Sequence, residues 1–125
     1  MNFIKPVRKL FTDLNDSQTA IFSAERTTYI TSIRCTNKSG VNIRLNLKGI
    51  ALLEDPVQES FVAFNRLLLA NQSMDLLAVV AADSSEVVEH VLLDGDNLVC
   101  YSNGFNEKFD CILQGYEETE LNEVL

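Results

Sequence analysis

The chain has 125 residues, 46% of them hydrophobic, with seven Phe, three Tyr and no Trp. That is enough apolar material for one self-supporting core, and too little stacking surface for a face that grips sugars or single-stranded nucleic acid. A formal net charge of −8 opposes nonspecific attraction to nucleic acid or to an anionic membrane.

The first seventeen residues carry Phe3, Ile4, Val7, Leu10 and Phe11 among Lys5, Arg8 and Lys9, more apolar surface than a solvated tail. Two readings are open for residues 1–17: an arm that docks on another protein through these eight side chains, or an edge strand of the chain's own sheet. The charges and Pro6 in this stretch do not make a signal peptide, and no run approaches the ~18 apolar residues of a membrane helix, so a soluble protein is expected. From residue 18 to 118, short β-branched and aromatic runs are punctuated by Gly, Asn, Asp and Ser, the pattern of a sandwich domain. Gln18–Ala24 is the first such run. Thr27–Thr36 follows, with Tyr29, Ile33 and Cys35 in phase. Asn37-Lys38-Ser39-Gly40 then reads as a hairpin turn into Val41–Lys48, where Val41, Ile43, Leu45 and Leu47 alternate with Asn42, Arg44, Asn46 and Lys48. Asp55-Pro56 breaks the chain. Phe61–Ala70 is read as a strand, although Phe61, Phe64, Leu67 and Leu68 also suit a helical stripe. Ser73–Val80, Val87–Leu93, Asn97–Ser102 and Lys108–Tyr116 complete about eight strands. The expected fold is all-β: an antiparallel two-sheet sandwich in jelly-roll or related Greek-key order. Residues 119–125 read as a solvated acidic tail.

The charge is uneven along the chain. Residues 1–50 carry eight Lys/Arg against three Asp/Glu (+5), and residues 51–125 carry two against fifteen (−13). Either the fold has a basic and an acidic pole, or its sheets interleave the two segments and mix the charges.

Residues able to carry chemistry are few. The single histidine, His90, reads as a strand-surface side chain, and one His cannot furnish the ligand shell of a cupin-type metal enzyme. No nucleophile elbow accompanies it, and the five glycines are scattered singly, so neither a catalytic triad nor a phosphate loop is expected. Asp94-Gly95-Asp96, with Asp83 or Asp110, offers carboxylates to calcium but is explained by turn chemistry. Cys35, Cys100 and Cys111 fit neither a disulfide framework nor a CxxC metal site and read as buried thiols. A non-enzymatic protein without cofactor or metal is the expectation.

The order of motifs resembles a family. Thr27-Thr28-Tyr29-Ile30-Thr31-Ser32-Ile33, then Cys35-Thr36-Asn37-Lys38-Ser39-Gly40 with the alternating Val41–Lys48 segment, is similar to the start of small β-sandwich structural proteins of tailed bacteriophages. Leu67-Leu68-Leu69-Ala70-Asn71-Gln72-Ser73-Met74-Asp75-Leu76-Leu77 resembles their strand, turn and strand. Val91-Leu92-Leu93-Asp94-Gly95-Asp96-Asn97-Leu98 resembles their Gly-Asp turn element, and Phe109–Glu117 their closing strand. The resemblance implies a virion component made in the host cytoplasm, most simply a capsid decoration or cement protein that bridges capsid subunits, with a neck or tail accessory protein as the alternative. A receptor- or carbohydrate-binding module is a third reading, disfavoured by the lack of Trp. The implied partners are viral structural proteins and further copies of the chain, with a trimer favoured because such proteins often occupy capsid threefold positions.

Overall fold

Each of the alternating runs contributes at least part of a strand to the structure, a computed structural model that describes residues 2–52, 56–77 and 90–120. Nine strands are present among these residues: β1 (Asn2–Leu14), β2 (Thr19–Ser23), β3 (Thr28–Asn37), β4 (Ile43–Ala51), β5 (Gln58–Leu68), β6 (Ser73–Asp75), β7 (His90–Leu92), β8 (Asp96–Ser102) and β9 (Phe109–Glu120). They make two antiparallel sheets. The first has the order β1-β9-β3-β6, with β7 also on β3, and the second has the order β2-β8-β4-β5. Taking β6 and β7 as two pieces of one interrupted strand, this is the strand order of a jelly roll.

The register shows how the roll is made. Asn2 lies opposite Glu120, Ala20 opposite Val99, Tyr29 opposite Val91 and Lys48 opposite Phe61. The first half of the chain thus runs back along the second as one long hairpin around the break near Pro56. The hairpin is then rolled so that β3 also meets β9 and β4 also meets β8. Every hydrogen-bonded pair of strands joins a member of β1–β4 to a member of β5–β9. The basic and acidic halves are therefore interleaved, with Lys5 on Glu117 at 3.7 Å and Lys48 on Glu59 at 3.4 Å.

Two expectations change. Residues 37–40 do not close a hairpin: β3 and β4 lie in different sheets, because Ile33 and Cys35 must face Ile43, Leu45 and Leu47 across one core. Asn37, itself buried, secures the crossing. Its side-chain Oδ1 accepts the Ser39 N–H at 2.8 Å, and its Nδ2 donates to the backbone carbonyls of Val41 at 2.8 Å and Leu68 at 3.2 Å. Nor do residues 1–17 form a separate arm. β1 pairs along its length with β9, Val7 and Phe11 pack on the core, and Leu14 is part of it. The edge-strand reading is the one realised, since β9 would otherwise lack a partner on that side. β9 runs on to Glu120, past the start of the supposed tail at 119, while residues 121–125 lie outside the described residues.

The core is mostly aliphatic, centred on Ile21, Ile30, Ile33, Leu45, Leu47, Leu98 and Leu113 with the ring of Phe109, and all three cysteines are fully buried. The strand expected over Ser73–Val80 stops at Asp75, whose Oδ1 accepts the N–H groups of Leu77 at 3.0 Å and Ile33 at 3.2 Å. Residues 78–89, which include Asp83 and the start of the Val87–Leu93 run, lie outside the described residues.

One glycine is demanded by a close approach. Between Ile30 and Ser32 the β3–β9 register slips, and the β3 backbone bulges toward Gly115. A Cβ at 115 would lie 2.2 Å from the Tyr29 carbonyl oxygen and 3.0 Å from the Ile30 Cα. Gly115→Ala is expected to cost about 2–3 kcal/mol, lowering the thermal midpoint by ~10 °C in a domain of this size. Gly40→Ala, which meets nothing within 4 Å, should shift stability by less than ~0.5 kcal/mol in the same circular dichroism melts.

Candidate protein interface on the outer face of the second sheet

Among the described residues β5 is the last strand of its sheet, and it carries Phe61, Phe64 and Leu67 on the outer face. A regular strand does not place residues three apart on one side. Here two bulges do so: Leu45 faces Arg66, Leu47 faces Ala63 and Lys48 faces Phe61, so β5 holds one extra residue in each interval. Ala63 and Leu68 then turn into the core, while Phe61 (47% exposed), Phe64 (61%) and Leu67 (45%) form an outward stripe. The two rings contact each other at 4.7 Å between centroids, and the Lys48 ammonium sits 5.9 Å from the Phe61 centroid.

Three asparagines hold the bulge. Asn65 takes the left-handed conformation at φ 55°, which Asn tolerates better than most residues. Its N–H donates to Asn46 Oδ1 at 2.9 Å, its side-chain oxygen accepts from Asn103 Nδ2 at 2.8 Å, and its carbonyl accepts from Arg44 Nη1 at 2.9 Å. Asn46 Nδ2 donates in turn to Asn103 Oδ1 at 2.8 Å. Asn46, expected on the wet face of its strand, is therefore only 2% exposed, and both polar atoms of its side chain and of Asn103's are used. The result is a rigid platform under exposed aromatic side chains, the composition of a protein–protein anchor. Contrast the aromatic pair of the first sheet: Tyr29 and Tyr116 stack at 4.9 Å, but the Tyr29 hydroxyl is tied to Glu118 at 2.9 Å and both are half-buried.

The residues expected at an interface are divided by β1. Ile4 and Leu10 point outward and are well exposed, and Arg8 and Lys9 are exposed, but Val7 and Phe11 belong to the sandwich and Lys5 is paired with Glu117. Phe3 places its backbone opposite Thr119, and its side chain lies outside the described residues. Beside β1 a shallow cavity of about 390 Å³ opens against β2, lined by Lys9, Phe11 and Phe22 among others. Pro6 contributes no N–H to this edge, and Lys5 and Lys9 share the inner-facing phase of Val7 and Phe11, arrangements that discourage a further strand from adding.

His90 corrects its expected surface position. It lies opposite the buried Ile30 and turns inward, with Nε2 3.8 Å from where a Gly49 Cβ would be. Burial pushes its pKa below the ordinary value, and the carboxylate of Asp96 opposes the shift. Asp94-Gly95-Asp96 is a turn: Gly95 has φ 93°, and Asp96 Oδ2 accepts the Leu93 N–H at 3.0 Å. Asp110 is engaged elsewhere, by the Asp13 N–H at 3.0 Å and Lys38 at 3.4 Å. No group of three His, Cys, Asp or Glu arranged to hold a metal occurs among the described residues. Comparisons of the chain with protein-family models, with curated proteins and with solved structures return no match.

Two outcomes follow from this geometry. Asn46→Ala strands its polar neighbours and is expected to cost about 2 kcal/mol, with faster amide exchange at Asn65 in β5. Because the folded state favours neutral His90, its contribution is complete above the unfolded-state pKa near 6.5 and declines as pH falls below it. Urea midpoints measured from pH 7.5 to 5.5 should fall for the wild type, and His90→Gln should flatten that slope.

Proposed function

We propose that this jelly roll is a non-enzymatic structural module that docks on other proteins, and that it serves as a virion component of the tailed-bacteriophage type. The decoration or cement role is the reading preferred: a rigid block, made in the host cytoplasm, that joins capsid subunits by adding contact area. What carries it is the Phe61–Phe64–Leu67 stripe on its asparagine-braced platform. Aromatic side chains with fixed backbones lose little entropy on docking. Two features of the sandwich favour face-to-face contact over strand addition: Pro6 with the lysines on β1, and the double bulge on β5. The strand-and-turn motifs of residues 27–48, 67–77 and 91–98 supply the link to virion proteins, and the implied homo-oligomer, a trimer foremost, belongs to the same proposal.

Mass spectrometry of density-purified particles tests the placement, with the protein expected at many copies per head. Its absence from every particle fraction would end the virion reading, and its presence only in necks or tails would replace decoration with the accessory role. On capsids, Phe64→Ser should weaken binding by about 2 kcal/mol, roughly 30-fold, without moving the thermal midpoint by more than a few degrees. Undiminished binding by a Phe61→Ser, Phe64→Ser double variant would remove the stripe from the interface.

A further inference from the structure

All three cysteines of the chain converge in one place. Cys35 on β3 and Cys111 on β9 are direct partners in the antiparallel ladder of the first sheet, and both point into the core. Cys100, on β8 of the second sheet, reaches them across the interior, and each of the three is 0% exposed. The thiols are near enough to act on one another's ionisation. Hydrogen bonding with Cys100 and then Cys111, followed by burial, pushes Cys35 up. Hydrogen bonding with Cys111, with burial, pushes Cys100 up, while Cys111 is drawn down by Cys100 and Cys35.

Directly opposed residues in an antiparallel ladder have Cα atoms about 4.5–5.5 Å apart, inside the span of about 4.4–6.8 Å that a disulfide bridges. We propose that Cys35 and Cys111 are the site of a facultative cross-strand disulfide, with Cys100 the thiol left over. It would join β3, at the centre of the first sheet, to β9, the strand that closes the roll. The site rests on the fold alone and stands whether or not the protein is a virion component.

The chemistry balances with a small disulfide such as oxidised glutathione as oxidant. The Cys111 thiolate attacks one glutathione sulfur, forming a mixed disulfide and releasing the first glutathione. Cys35, as thiolate, then attacks the Cys111 sulfur and releases the second. Two protein thiols are oxidised, one glutathione disulfide is reduced to two thiols, and the two protons lost by the cysteines pass to the departing glutathiones. With all three sulfurs sealed, glutathione enters only when β9 lifts away, so the bond forms during folding or rare opening and not by attack on the closed sandwich.

The test is to refold reduced protein in graded glutathione redox buffers, quench with acid, alkylate and map the linkages by mass spectrometry. The expected result is one disulfide between the peptides holding Cys35 and Cys111, a single alkylated Cys100, and a disulfide-to-dithiol ratio at least 100-fold higher in native buffer than in denaturant. The oxidised protein should melt about 10 °C above the reduced form. Cys100→Ser, which leaves the pair intact, should give the same linkage and separates the proposal from any need for the third thiol. Refolded wild-type protein with all three thiols alkylated, a linkage through Cys100, or a native ratio no higher than that in denaturant would each overturn it.

Discussion

The pairing of residues 2–51 with residues 58–120 is the constraint on which the rest of this molecule depends. Each strand of the first half finds its ladder partners in the second half, in reversed order, so the turn near Pro56 acts as the fold point of a ribbon whose two ends meet again at β1 and β9. The charge asymmetry of the chain has its structural meaning here. A basic half lies beside an acidic half, and contacts such as Lys5–Glu117 and Lys48–Glu59 fall where the two segments face each other. Exposed pairs of this kind contribute little each. Like charges set along the same ladders would oppose the pairing, so the arrangement counts more for which strands meet than for how tightly they hold.

Much of the strand content was legible because alternation is a direct record of a half-buried sheet. Ile43, Leu45 and Leu47 are buried as their phase required, and Cys35 and Cys111 sit on the core faces that their neighbours implied. What escaped was non-local. Asn37-Lys38-Ser39-Gly40 has the residues of a tight turn whether the next strand lies beside the last or across the core from it, and only the need of both strands for the same interior decides between them. The orientation of His90 depended on β7 facing Ile30, and the burial of Asn46 depended on Asn65 and Asn103, residues 19 and 57 positions away.

The stripe on β5 illustrates a third kind of difficulty. Phe61, Phe64 and Leu67 have helical spacing, and no pattern of period two accounts for them. The informative residue was Asn65, polar and tolerant of the left-handed region, placed where a phase reset was needed. A strand that changes phase twice costs ladder hydrogen bonds with its neighbour, here β4. The asparagine triangle returns several of them while keeping the aromatic side chains exposed.

The nested order of the strands also bears on how the chain comes to be folded. From Leu14 to Phe109 is a separation of 95 residues, and a ribosome adding roughly 5–20 residues per second needs ~5–20 s to cover it. For that time β1, with Val7, Phe11 and Leu14 meant for the interior, has no ladder partner, and β2 waits nearly as long for β8. The same lysines and proline that discourage strand addition in the finished sandwich stand guard over the nascent strand, keeping β1 from adhering to its neighbours before β9 has emerged.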